Sequence, residues 1–346
     1  MSCAAVKGPV KSVGGGGPMP TPDPFLFAVY HNDKYPKGNG RNVHAPRTGN
    51  GMDFNDGEYR MYHGKHIPGF PAHPHRGFET ITATLQGFCD HCDSLGNAGR
   101  YGEGDCQFMT AGSGIQHSEM FPLVKSDQPN TLRLFQIWLN LPRADKMAPP
   151  KMVMHWANDV PKVRSPDGLA TVSVYVGRYG TVAEALAPPP RSWAAKAGKD
   201  VAVWFVHMKP GARLELPAAH AGAEANRCLY VVEGDAVDVG GVRVPLRHMV
   251  DLDASRPVEV SGSQDTDTAA LVLQGVPIGE PVAQRGPFVG NDMQDIVAAF
   301  SDYQETSFGG WPWPSEEHAF DMNKARFCLV DGVETVAPPV VPSSQP

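Results

Sequence analysis

The most informative stretch of this chain is His73-Pro74-His75-Arg76-Gly77-Phe78-Glu79-Thr80. A second stretch with a similar pattern follows about forty residues later, Gly112-Ser113-Gly114-Ile115-Gln116-His117-Ser118-Glu119-Met120. Side chains on a β-strand alternate between two faces, so residues i and i+2 point the same way. His73 and His75 therefore form one pair of ligands, and His117 and Glu119 form another. Two such strands side by side would direct three imidazoles and one carboxylate to one point. The pattern predicts a metal site split over two strands.

The first pair is weak evidence when it is taken alone. Thirteen histidines among 346 residues produce roughly half an H-x-H pair by chance. The second pair strengthens the prediction because it also has strand spacing and lies in glycine-punctuated sequence. Imidazole and carboxylate without thiolate suit iron, nickel, copper, manganese or zinc, and they leave one or two coordination positions open.

The cysteines offer a weaker alternative site. Cys89-Asp90-His91-Cys92 has no second C-x-x-C partner, and the other four of the six cysteines are isolated. We interpret this segment as strand-end and turn chemistry. Six scattered cysteines also indicate a reducing compartment.

Composition excludes several classes of function. The net charge is −7 and no run of Lys and Arg reaches five residues, which argues against direct binding to nucleic acid or to an anionic membrane. No apolar stretch approaches the roughly 18 residues that a membrane span needs. We expect a soluble, monomeric, intracellular protein, cytoplasmic with the nucleus as the alternative location, and any nuclear role would require protein partners.

The length suits two barrel domains with tails. Strand patterns separated by turns recur in both halves, and residues 292–303 have the periodicity of a helix. The histidines of the Gly- and Pro-rich segment 31–69, namely His31, His44, His63 and His66, are expected at loops or rims. The predicted divisions are a disordered tail 1–23, a metal-binding domain 24–150, a linker 151–168, a second domain 169–310, and an extension and tail 311–346.

Longer motifs carry a resemblance to a known family. The first stretch quoted above resembles the pirin family of the cupin superfamily, as do 90–96, 104–112 and 114–120. In the second half 229–234, 252–257, 279–283 and 286–289 resemble the C-terminal cupin half of pirins. The resemblance implies an all-β fold of two tandem cupin-type barrels (double-stranded β-helix, or jelly roll) with a short C-terminal helix, and metal in the first barrel only.

The resemblance also implies a ligand set and two functions. It points to one Fe(II) held by His73, His75, His117 and Glu119, with Glu79 as a hydrogen-bond partner that orients a ligand histidine. The general cupin pattern instead offers Glu79 as the carboxylate ligand. One implied function is a quercetin 2,3-dioxygenase acting on a flavonol or similar enolic aromatic with dioxygen, Glu119 serving as catalytic base. The other is an iron-dependent redox sensor that binds transcription factors without turnover. The pocket is expected to be lined by Gln116, Met109 and Phe78.

Overall fold

Nearly all regular structure in this chain is β-sheet. The computed structural model describes residues 5–14, 17–54 and 57–339. The first ten strands are β1 (Val6–Ser12), β2 (Phe25–Asp33), β3 (Gly69–His75), β4 (Phe78–Gln86), β5 (Phe88–Asp93), β6 (Ala98–Gly102), β7 (Cys106–Thr110), β8 (Ile115–Met120), β9 (Leu132–Asn140) and β10 (Lys151–His155).

The second half of the chain repeats this pattern with shorter strands. They are β11 (Lys162–Arg164), β12 (Ala170–Val176), β13 (Arg178–Tyr179), β14 (Ala183–Glu184), β15 (Ala202–Met208), β16 (Arg213–Leu216), β17 (Asn226–Glu233), β18 (Ala236–Val239), β19 (Val242–Pro245), β20 (His248–Asp253), β21 (Val258–Ser261), β22 (Thr268–Gly275), β23 (Ala283–Arg285) and β24 (Phe288–Gly290). After these come the helix α1 (Met293–Thr306) and the strands β25 (Phe327–Val330) and β26 (Val333–Val336).

Each half folds into two facing sheets. The first barrel consists of a five-stranded sheet in the order β10-β7-β4-β9-β2 and a six-stranded sheet in the order β26-β25-β6-β5-β8-β3. The second has a seven-stranded sheet, β1-β20-β17-β22-β15-β12-β11, and a four-stranded sheet, β16-β21-β18-β19. The prediction of an all-β chain with two tandem barrels is confirmed.

The two barrels share a buried interface. Ile81 and Phe135 of the five-stranded sheet lie in one apolar cluster with Phe205, Tyr230 and Leu271 of the seven-stranded sheet. The strand β9 is apolar on both faces because one face lines the first barrel and the other packs on the second. This double burial fixes the five-stranded sheet, and with it one wall of the first barrel.

The interiors of the two barrels differ in chemistry. The second is filled by aliphatic and aromatic side chains, including Val206, Leu229, Val250 and Val272. The first keeps buried polar groups inside, among them His75, His117 and Glu119. Only the first barrel therefore presents potential ligands around an internal space within the described residues.

We predicted that residues 1–23 form a disordered tail, but part of this segment is a strand. Residues 6–12 form β1, which pairs antiparallel with β20, from Val6 opposite Leu252 to Ser12 opposite His248. Two half-buried valines of this segment, Val6 and Val10, pack against the second barrel's core. The composition is poor in apolar residues, yet an exposed sheet edge supplies backbone partners that composition does not reveal. Residues 1–4 of the predicted tail lie outside the described part.

The predicted linker 151–168 is also wrong. Its first part is β10, which continues the five-stranded sheet by pairing with β7, and its later part contains β11, which pairs with β12. The connection between barrels therefore contains two strands of the flanking sheets, and the sequence hides this because Pro149 and Pro150 mark a turn directly before β10.

The C-terminal extension belongs to the first barrel. The strands β25 and β26 add to the edge of the six-stranded sheet, with Phe327 opposite Arg100. The buried Arg100 side chain donates to both oxygens of Asp90 at 2.7 Å and to the carbonyls of Phe320, Asp321 and Lys324. The hydrogen bonds to these three carbonyls fasten the extension to the barrel, and the ion pair with Asp90 holds the Arg100 side chain in place. The end of the predicted tail, 340–346, lies outside the described residues.

The predicted helix is confirmed. It spans Met293–Thr306, and Asp292 accepts hydrogen bonds from the backbone of Gln294 and Asp295 as its N-cap. The Asp295 side chain bonds back to the cap backbone, which completes a capping box and stabilises the first turn.

Candidate metal centre

Three histidines of the first barrel meet at one point. His73 lies directly opposite His117 in the pairing of β3 with β8, and His75 follows on the same face of β3. The ring centroid of His117 lies 4.5 Å from that of His73 and 4.8 Å from that of His75. The Nε2 atoms of His73 and His75 are 3.1 Å apart. Ligand atoms of all three lie within 4.8 Å of one another. The predicted strand spacing thus brings the imidazoles together.

The nitrogen atoms are in the state that a metal requires. His73 Nδ1 lies 2.8 Å from the Pro71 carbonyl, and since it must donate there, Nε2 keeps its lone pair. Burial lowers the pKa of His73 to about 4 and that of His75 and His117 well below the usual range, so all three are neutral. His117 Nε2 is buried without a hydrogen-bond partner. Such an orphaned acceptor costs about 1–3 kcal/mol, which a bound cation would offset, so these residues fit a metal ion.

Glu119 lies beside the histidine cluster and is not one of its three members. One of its oxygens is 3.9 Å from His117 Nε2, and the carboxylate accepts hydrogen bonds from Gln136 at 2.7 Å and from Thr82 at 3.0 Å. Burial raises the pKa of Glu119, while His91 and these hydrogen bonds oppose the rise. Gly69 lies opposite Met120 in this strand pair with φ of +132°, and a Cβ on it would lie 2.3 Å from the Glu119 carbonyl oxygen. The glycine thus permits the close approach of β3 to β8.

Glu79, the other carboxylate that we considered, points away from the site. It accepts hydrogen bonds of 2.6 Å from Thr110 and from Ser192, which lies on the way into the second barrel. The parity argument that allowed Glu79 assumed one continuous strand. The chain reverses instead at Gly77, with φ of +87°, and β3 and β4 belong to different sheets. Glu79 therefore faces the interface between barrels and bonds to none of the three histidines.

His91 is a neighbour of the cluster that sequence reasoning missed. It lies within β5, next to β8, and its Nδ1 is 3.4 Å from Nδ1 of His117 while its Nε2 is 3.5 Å from Asp93. The segment Cys89–Cys92 is thus an internal strand, not a strand end and turn, and both cysteines are buried. Alternation along β5 would have placed His91 and Asp93 on one face, but only the pairing with β8 shows which face this is.

A cavity of about 570 Å³ leads to the cluster. This volume falls in the range of small-molecule sites. Most of its wall is aromatic or aliphatic; the lining residues include Phe27, Val29, Phe70, Phe121, Leu134 and Trp138. Gly17 and Pro18 of the predicted tail also line it.

The three residues predicted to line this pocket do not. Phe78 is fully buried behind the wall and stacks on Trp138 with ring centroids 4.0 Å apart. Gln116 donates to the carbonyls of Ser307 and Gly310, and Met109 packs in a separate buried cluster. The sequence motif marks these positions, yet the sheet turns their side chains elsewhere.

His31 was expected at a loop or rim, and this is wrong. It lies on β2, is only 5% exposed, and lines the cavity. Alternation from Phe27 through Val29 to His31 would have predicted this face. His44 and His66 do lie on exposed loops with ring centroids 5.5 Å apart, and exposed His63 contacts the Gly51 carbonyl.

A double-barrelled cupin with a histidine cluster in its first barrel is thus the class of protein that the fold and site define. The family model described as Pirin matches residues 17–139, and that of the Pirin C-terminal cupin domain matches 203–309. A pirin-like protein of Caulobacter vibrioides is 38% identical over 243 residues, covering 70% of this chain and 82% of the relative. One from Solanum lycopersicum is 34% identical, covering 68% and 75%. The chain belongs to the pirin family.

A solved structure supports the same assignment. The quercetin 2,3-dioxygenase from Acinetobacter baumannii is similar with a TM-score of 0.66 and 28% identity, covering 83% of this chain and 87% of that chain. In the described part of our chain, no helix has the length and apolar character needed to cross a membrane.

Proposed function

We propose that this chain holds one iron(II) ion through His73, His75, His117 and Glu119 and uses it to oxidise a flavonol-type aromatic with dioxygen. The observation that carries the proposal is the set of three neutral imidazoles within 4.8 Å of one another at an aromatic cavity. The name of the Acinetobacter baumannii structure supports the reaction and the substrate class. When bound, the ion supplies positive charge and open coordination positions that orient and polarise the reactants.

The residues around the cavity have separate tasks. The rings of Phe27 and Trp138, with centroids 4.3 Å apart, form an apolar wall that excludes water and packs against a planar substrate. Glu119 accepts the proton of the substrate hydroxyl that approaches the cluster. A bound cation lowers the pKa of a carboxylate ligand, so Glu119 takes this proton only when it loosens from the ion, while Gln136 and Thr82 hold its carboxylate in place.

The cavity also bears on the choice between the two functions that the resemblance implies. A redox sensor that only changes its surface needs no substrate-sized space beside its metal, whereas a dioxygenase does. The cavity therefore favours turnover of a small molecule, and binding to transcription factors stays the alternative hypothesis.

Metal content is the first test. The full chain is purified without added metal, because copper or nickel would compete with iron according to the Irving–Williams order. Elemental analysis should find about one equivalent of iron, and His117→Ala should lose most of it. Glu79→Gln is the matched control and should keep the iron, since Glu79 faces away from the cluster. Less than about a tenth of an equivalent of any transition metal in the wild type would contradict the proposal.

Turnover is the second test. The iron-loaded protein is incubated with quercetin in air, and loss of the flavonol absorbance is followed. Glu119→Gln should lower the rate by about 10²–10⁴-fold, the usual contribution of a general base. A wild-type rate no higher than that of His117→Ala would refute the dioxygenase proposal for this substrate.

A further inference from the structure

A second polar group lines the cavity away from the histidine cluster. The Phe70 ring contacts both places, with its centroid 5.9 Å from that of His31 and 6.3 Å from that of His73. Phe121 also packs against His31, with centroids 6.1 Å apart. His31 therefore adds an imidazole to a mostly aromatic part of the wall, where Phe70 contacts both His31 and His73 of the cluster.

A buried hydrogen-bond chain fixes the state of His31. Arg60 donates to both oxygens of Asp33 at 2.9 and 3.0 Å, so Asp33 is a carboxylate that can only accept. The Tyr62 hydroxyl donates its single hydrogen to Asp33 at 2.7 Å. The contact of 2.6 Å between Tyr62 and His31 Nδ1 must then be donated by the imidazole. A neutral His31 consequently carries its lone pair on Nε2.

That lone pair is free to bind a ligand. Burial lowers the pKa of His31 to about 4, so the ring is neutral near pH 7. Across the described residues, no hydrogen bond reaches Nε2, and the ring lines the cavity. Because the ring lines the cavity, a hydroxyl or amine of a ligand that enters the cavity can donate a hydrogen bond to Nε2.

We propose that His31 accepts a hydrogen bond from a hydroxyl at the metal-distal end of an aromatic substrate and thereby selects polyhydroxylated ligands. This inference rests on the proposed function, since it assumes that the other end of the ligand lies at the histidine cluster. The volume of about 570 Å³ accommodates a ligand of several rings that reaches both places. Tyr62 is a positioning residue, because it holds the His31 tautomer through Asp33.

The test compares two flavonols that differ at the distal end. Quercetin carries hydroxyls on its pendant ring, and galangin has the same hydroxylated fused rings with none on the pendant ring. Binding to the iron-loaded full chain is measured without oxygen by quenching of tryptophan fluorescence. The wild type should bind quercetin roughly tenfold more tightly than galangin, the effect of one net hydrogen bond.

The variants separate hydrogen bonding from packing. His31→Phe should remove the roughly tenfold preference by weakening quercetin alone, and His31→Gln should retain part of it because the amide oxygen replaces Nε2 as acceptor. Tyr62→Phe keeps the ring and should reduce the preference without changing galangin binding. His66→Ala is the matched control, an exposed histidine that contacts His44 and Glu317 rather than the cavity wall, and it should leave both affinities unchanged.

The outcomes distinguish this inference from the proposed function. If His31→Phe weakens the binding of both flavonols equally, or of neither, His31 does not accept a hydrogen bond from the distal hydroxyl. This holds even if quercetin is consumed in air. If the preference depends on His31 but quercetin is not consumed, the dioxygenase proposal fails and the role of His31 stands. If neither flavonol binds the wild type, both are overturned.

Discussion

Replacing Glu79 by Gln should stabilise the protein by an amount that grows with pH. Glu79 is fully buried between the barrels, where Thr110 and Ser192 donate to its two oxygens. Burial raises its pKa to about 8 and outweighs these hydrogen bonds, which favour the charged form. In the unfolded chain the same carboxyl titrates near its ordinary value of 4.5.

The sign and size of this pH-dependent change in stability follow from the two pKa values of Glu79, one in the folded protein and one in the unfolded chain. Between them the unfolded chain has released the proton and the folded protein retains it, so the stability falls as pH rises. Below both values the effect is absent. The loss is about 1.4 kcal/mol per pH unit, which amounts to about 3 kcal/mol at pH 7 and levels off near about 5 kcal/mol above pH 8. Gln has nearly the same shape without the titrating proton, so the variant avoids this loss.

Urea unfolding at pH 5, 6, 7 and 8, followed by tryptophan fluorescence, measures the effect. The free energy of unfolding of Glu79→Gln relative to wild type should rise by about 1.4 kcal/mol per pH unit. Ile81→Val, on the same face of β4, is the control and should cost about 1 kcal/mol at every pH. A difference between Glu79→Gln and wild type that stays constant from pH 5 to 8 would refute the reasoning, because Glu79 would then be ionised throughout.

Two further predictions concern segments that the sequence assigned to tails. Arg100→Ala should cost about 3–5 kcal/mol in urea unfolding, because it leaves Asp90 buried and unpaired. Limited proteolysis should then cut within residues 311–339 faster than in wild type, and equal cutting would show that Arg100 does not hold the extension. Deleting residues 1–14 exposes the edge of β20 and should lower the melting temperature by several degrees, at about 2–4 °C per kcal/mol. The same iron content is expected, and an unchanged melting temperature would mean that β1 adds no stability.

The local periodicity of the sequence predicted the strands and the ligand pairs. Alternation determines which residues of one strand share a face, so His73 with His75 and His117 with Glu119 followed from spacing alone. The capped helix was predictable for the same reason, since both its apolar spacing and its Asp292 cap are local features.

Relations between strands were not predictable from such local patterns. The turn at Gly77 sends β3 and β4 into different sheets, which turns Glu79 toward the second barrel although its parity matched the ligands. The pairing of β5 with β8 brings His91 beside His117, and residues far apart in sequence supply partners for β1, β10 and β25.

The sequence by itself predicted a two-barrel β-protein and predicted that His73 with His75, and His117 with Glu119, share a face of their strands. Only the tertiary structure decided which carboxylate lies beside the histidines, that His31 enters the cavity wall, and that the predicted tails complete the sheets. The physical reason is that side-chain direction repeats every two residues along a strand, whereas the choice of neighbouring strand depends on contacts across the whole chain.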